Sequence, residues 1–275
     1  MTRLQRRMYR RRVRRRRWLL VFVLLLTAAG VVWAMRSPKL RAEWIASPTA
    51  TPVTPAYDQT VETREVTLAA ETWYAIQTGV FSTKEAAEEK AAAYTDRGAP
   101  GTVIEQDGKW RVFIASYGAE AEAFAVRQRL GETQRVETYL YAWECPELRL
   151  RLTGMAGQLD VAQAGLTLLL QTAARLRDTA ILLDAGQLTV EEAGQVIADV
   201  DGQITLWAST ARDRFGRQMP ELLQQMLALT DDWGTRKKTL TDAAASVTEL
   251  SAALKGQGME MYDDMIRLRN GFMAQ

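Results

Sequence analysis

The chain has 275 residues, enough for one or two domains, and its 35 Lys and Arg nearly balance 33 Asp and Glu. Ten arginines crowd the first 17 residues, so residues 18–275 hold 25 basic against 33 acidic groups, a net of −8 that suits nucleic acid poorly. The absence of histidine and the single Cys145 exclude Ser-His-Asp and Cys-His catalysis, His-ligated metals, multi-thiolate zinc sites and any disulfide within the chain.

The arginine-rich tail, residues 1–17, precedes WLLVFVLLLTAAGVVWAM at 18–35, which carries no charge. As a helix this stretch spans roughly 27 Å, enough to cross a bilayer with little tilt. Trp18 and Trp33 fall where indole rings favour the membrane interface, and the arginines hold the N-terminus in the cytoplasm. Ala34 also suits a cleavable signal peptide, but the charged segment and the apolar run are both long for one. The expectation is a single-pass membrane protein whose bulk lies outside the cytoplasm. Residues 36–70 follow, with Pro38, Pro48, Pro52 and Pro55 and little apolar periodicity, and read as an extended tether.

An internal repeat fills 73–143. WYAIQTGVF at 73–81 aligns with KWRVFIASY at 109–117, and each half runs on into an alanine-rich helix pattern at 83–97 and 119–130. Short β-rich runs at 101–106 and 136–143 follow the helices, and Asp107-Gly108 supplies a hairpin turn. The order is β-α-β-β-α-β, a split βαβ fold with one four-stranded sheet and two helices. Alternation puts Tyr74, Ile76, Thr78, Trp110, Val112, Ile114, Val136, Leu140 and Ala142 beneath the helices. The other face then carries Trp73, Ala75, Gln77, Arg111, Phe113, Tyr139, Tyr141 and Trp143. So many aromatics suit a ligand-binding face, or one covered by the C-terminal helices or the linker.

These residues resemble the SPOR domain, the sporulation-related peptidoglycan-binding repeat, over residues 71–143. Ile76-Gln77-Thr78-Gly79-Val80-Phe81 matches the family's hydrophobic-Gln-x-Gly-x-Phe opening. In the second half Arg111 and Val112 match, while Ile114, Ala115 and Tyr117 stand where the family has valine, glycine and phenylalanine. The resemblance implies recognition of glycan strands stripped of stem peptides, as formed by amidases at division septa or around forespores. It gives Gln77 the role of orienting the glycan. Face position adds Trp73, Arg111, Phe113, Tyr139, Tyr141 and Trp143, since sugar rings pack on aromatics and their hydroxyls need fixed polar partners. RNA-recognition motifs share the element order, but KWRVFIASY lacks their glycine–aromatic pattern, so no nucleic-acid partner is expected.

From 146 to 275 the pattern predicts a long antiparallel helical bundle with coiled-coil-like seams. One seam runs from Leu148 through Leu152, Met155 and Leu159 to Leu183, and a second from Val190 to Ala211 behind a Thr189/Glu192 capping box. A third runs from Leu222 to Leu254, interrupted only by Arg236, and Gly256 and Gly258 then precede a short terminal helix whose Met259, Met261 and Met265 suit a core or a docking face. This half could carry a protein partner or self-association. The acidic pairs Asp199/Asp201, Asp231/Asp232 and Asp263/Asp264 read as helix caps and solvated faces, and the calcium-loop-like start at Asp199 lacks its later acidic ligand. No catalytic residue, metal or cofactor is expected. The sequence therefore reads as a membrane-anchored, non-enzymatic binder of peptidoglycan for division or sporulation. The alternative is a scaffold whose helices recruit a partner while the SPOR-like domain is degenerate or contacts protein.

Overall fold

Two long strands meet two others end to end and set the frame for everything else. The computed structural model describes residues 61–216 and 219–273. The arginine-rich residues 1–17, the apolar stretch 18–35 expected to cross the membrane and residues 36–60 of the expected tether lie outside the described residues. Among those described, no helix is long and apolar enough to cross a membrane.

The repeat folds in the expected order, but its last strand runs over Tyr139–Cys145 and not 136–143, because a π-helical turn at Leu130–Gln134 extends the second helix and leaves Val136 outside the sheet. Strand β2 (Glu71–Phe81), helix α1 (Lys84–Thr95), β3 (Thr102–Gln106), β4 (Lys109–Tyr117), α2 (Glu120–Arg129) and β5 (Tyr139–Cys145) follow in order. The sheet is antiparallel with strand order β3-β4-β2-β5. Thr83 caps α1 through its side chain, which accepts from the Ala86 amide. Asp107 and Gly108 both take positive φ, 52° and 66°, which is the twist a two-residue hairpin needs. Ala87, Ala91 and Val112 form one small core under α1, and Ile76, Tyr94, Ile114 and Ala123 another.

Two expectations fail at the edges of this unit. The tether was to run through residue 70, yet Val61–Leu68 is strand β1. The first helical seam was to start at Leu148, yet Leu148–Met155 is strand β6, paired antiparallel with β1 from Val61↔Met155 to Leu68↔Leu148. The reason is the Leu148-Arg149-Leu150-Arg151-Leu152 alternation, which buries Leu148, half-buries Leu150 and Leu152 on the same side and leaves the arginines exposed. Arg64 ties this ribbon to the next helix through Asp160 at 2.6 Å.

Helices α3 (Ala156–Asp184) and α4 (Val190–Phe215) come next, the latter behind the expected Thr189/Glu192 capping box. The third seam is not one helix. It divides into α5 (Glu221–Asp231), α6 (Trp233–Asp242) and a 3₁₀ turn at Ala243–Ala245, then enters α7 (Val247–Met273). Gly256 and Gly258 do not break the chain before a short helix; they lie inside α7. Gly258 marks a close approach instead, and Gly256 an ordinary contact. A Cβ on Gly258 would stand 3.2 Å from the Ala173 carbonyl oxygen and the Arg177 amide nitrogen of α3, and one on Gly256 would stand 3.5 Å from Pro100 Cβ. Ser251 meets Asp184 and Gly258 meets Ala173, so α7 runs antiparallel to α3. Met259, Met261 and Met265 are core residues on this helix. Arg236, the interruption in the third seam, reaches from α6 to Gln257, Glu260 and Asp264 of α7 at 3.2, 3.0 and 2.7 Å.

Candidate functional site

Strand alternation brings all seven candidate residues to one face of the sheet, and α7 and α3 divide that face in two. At one end Trp73, Phe113 and Trp143 are buried, with 0, 0 and 2% of their surface exposed. Phe113 and Trp143 stack with ring centres 5.2 Å apart. Tyr262 of α7 lies flat on Trp73, 4.0 Å away and tilted by 6°, and meets Trp143 edge-on at 5.4 Å. The guanidinium of Arg177, from α3, sits 4.3 Å from the Trp73 ring centre. These residues belong to the same hydrophobic core as α3 to α7.

Helix α7 also holds the backbone where β1 gives way to β2 and β5 to β6. The Tyr262 hydroxyl lies within donor reach of the Glu71 and Trp143 carbonyls, at 2.9 and 3.1 Å. Arg269, fully buried, donates through Nη1 to the carbonyls of Ala69 and Pro146 at 2.9 and 2.7 Å. Arg267 donates to the Glu105 carbonyl and pairs with Asp263. Burial drives the Tyr262 phenol far above its ordinary pKa, so it remains a donor at any physiological pH. Cys145 is likewise buried, and desolvation pushes its thiol up to about 11.

The other end of the face is partly accessible, with Tyr139 exposed and Arg111 and Tyr141 half-buried. Gln77 is buried but presents Oε1 to Arg111, whose Nη1 donates to it at 3.0 Å. The Arg111 guanidinium lies 4.7 Å from the Tyr141 ring centre. Tyr139, directly across from Gln77 on β5, is 51% exposed and donates its hydroxyl to Glu137 at 2.5 Å. That bond raises the Tyr139 phenol above its usual range, and burial raises Tyr141. Amide, guanidinium and two phenol rings thus form a strip across β4, β2 and β5.

The covered end has unfinished hydrogen bonding. Trp143 Nε1, Ser116 Oγ and Gln106 Oε1 on the sheet are buried without partners, as are Thr172 Oγ1 and Arg177 Nη1 on α3 and Arg269 Nε and Nη2 on α7; in the strip at the other end Arg111 Nε is likewise unpaired. Each such group costs about 1–3 kcal/mol relative to a satisfied one. The face beneath α1 and α2 has no such atom among the described residues. Tyr262, Arg177 and Arg269 were not among the expected site residues, because helical seams mark what is buried and not which sheet it is buried against.

The acidic pairs are tied up structurally. Asp201 accepts from Trp233 and Lys237, Asp231 pairs with Arg212, and Asp264 pairs with Arg236.

Residues 70–140 match the family model of the SPOR domain. That domain is a binding module and not a catalytic one, and it binds peptidoglycan. No curated protein and no solved structure matches the chain.

Proposed function

We propose, from the SPOR domain at residues 70–140, that this protein binds glycan strands of peptidoglycan without catalysing a reaction on them. The observation that carries the reading is the strip of Gln77, Arg111, Tyr141 and Tyr139, with ring faces for the sugar and fixed polar groups for its hydroxyls. Trp73, Phe113 and Trp143 extend the same face inward. The segment at 18–35 anchors the protein in the membrane, and residues 36–60 let the folded part reach the wall on the outer side. Division septa and the wall around forespores are both places where stripped glycans collect.

The test is co-sedimentation of the full chain, in mild detergent, with intact and with amidase-treated sacculi. Preferential pelleting on the treated wall is expected, reduced at least fivefold by Arg111→Ala and by Tyr139→Ala. Equal pelleting of wild type and both variants would overturn the role of the strip.

One observation favours a second reading, the scaffold. Two of the seven candidate residues, Trp73 and Trp143, already contact α3 or α7 of the same chain. In that reading the aromatic face is core, and recruitment of a partner belongs to the helices. It expects no wall binding, and localisation that follows residues 146–275.

A further inference from the structure

We infer that α7 is an intramolecular occupant of the glycan-binding face, so that the protein is closed to glycan at Trp73 and Trp143 until α7 lifts away. The inference rests on the glycan-binding reading of the SPOR domain and concerns how that site is regulated.

Three features of the contact carry it. Tyr262 lies flat on Trp73, ring on ring, which is the placement a sugar ring takes on an indole. Its hydroxyl then reaches two backbone carbonyls, as a sugar hydroxyl can. The helix therefore fills the site with the kind of group the site is built to hold.

The second feature is what α7 leaves undone. Trp143 Nε1, on the ring that meets Tyr262 edge-on, and Ser116 Oγ are buried with no partner. A surface that served only as core would pair these groups or replace them with apolar ones. A hydroxyl-rich ligand can satisfy them, and a helix of this composition does not. The third feature is on the helix itself, where Arg269 enters the interface fully buried with two of its nitrogens unpaired. The docked state is held by aromatic stacking, by the carbonyl clamps of Tyr262 and Arg269 and by the buried Met259, Met261, Met265 and Leu268, and is weakened by these unmet donors. Glycan binding then carries a penalty set by the fraction of molecules with α7 lifted, and anything that raises that fraction raises apparent affinity in proportion.

The structure supplies its own lock. An ideal Cβ on Gly256 lies 3.5 Å from Pro100 Cβ, within the range of a disulfide, so the Pro100→Cys/Gly256→Cys pair tethers α7 to the SPOR domain when oxidised. The native Cys145 is buried and does not compete. Pelleting of the full chain with amidase-treated sacculi is measured for this variant oxidised and reduced, and for Tyr262→Ala. The oxidised form is expected to bind at least tenfold more weakly than the same protein reduced, and Tyr262→Ala more tightly than wild type. Equal binding of the oxidised and reduced forms would overturn the gate while leaving the glycan reading intact. Absence of pelleting by every form, Tyr262→Ala included, would overturn the glycan reading and the gate with it.

Discussion

The two faces of the four-stranded sheet are closed in different ways. Beneath α1 and α2, Ile76, Val112 and Ile114 meet alanines and tyrosines supplied by the repeat itself, within a few dozen residues in the chain. Beneath α3 and α7, Trp73 and Trp143 meet residues more than a hundred positions further on, Phe113 stacks on Trp143, and several polar atoms remain unpaired. A local face packs as an ordinary core. The distant face has good stacking but incomplete hydrogen bonding.

The largest expected effect tests whether the distant face is packed at all. Trp73→Ala should lower unfolding stability by about 3–5 kcal/mol in a denaturant titration, comparable to Ile76→Ala on the local face at about 2–5 kcal/mol. A loss under about 1 kcal/mol for Trp73→Ala would mean that α7 is not seated on it. Gly258→Ala is next. Its Cβ would press on α3 backbone atoms at 3.2 Å, which cannot swing aside, so about 1–3 kcal/mol should be lost.

A pH titration sharpens the contrast further. Asp264 of α7 is pushed up to about 6, chiefly by burial, against the pull of Arg236. Its folded pKa exceeds its unfolded value, so its contribution is fully present below about pH 4 and is lost as pH rises through about 6. Moving from pH 7 to pH 5 should therefore stabilise the wild type by about 1 kcal/mol more than Asp264→Asn. Asp263 and Glu260, raised by the same burial, act in the same direction. The smallest effect is the control for Gly258. Gly194 of α4 has open space where a Cβ would go, so Gly194→Ala should add about 0.5–1 kcal/mol.

The repeat was legible because each half carries its own signal: alternation in the strands, alanine spacing in the helices and Asp107-Gly108 at the turn. The face assignment followed from alternation alone. What covers the face did not, since Tyr262 is one aromatic in a helical seam and nothing local names its partner. The β1–β6 ribbon was lost for a related reason. Leu148, Leu152 and Met155 fit a helical spacing, and the Leu-Arg alternation wins only because β1 waits more than eighty residues upstream. Gly256 and Gly258 read as helix breakers because what they face, side chains of Pro100 and Thr102 for Gly256 and the α3 backbone for Gly258, lies far off in the sequence.

The most direct test of competition for the face is amide hydrogen exchange across α7 in the full chain, with and without glycan strands freed of stem peptides. Faster exchange in residues 258–269 on glycan addition, with slower exchange in β2 and β5, is the expected result. Glycan protection of β2 and β5 with α7 exchange unchanged would contradict it.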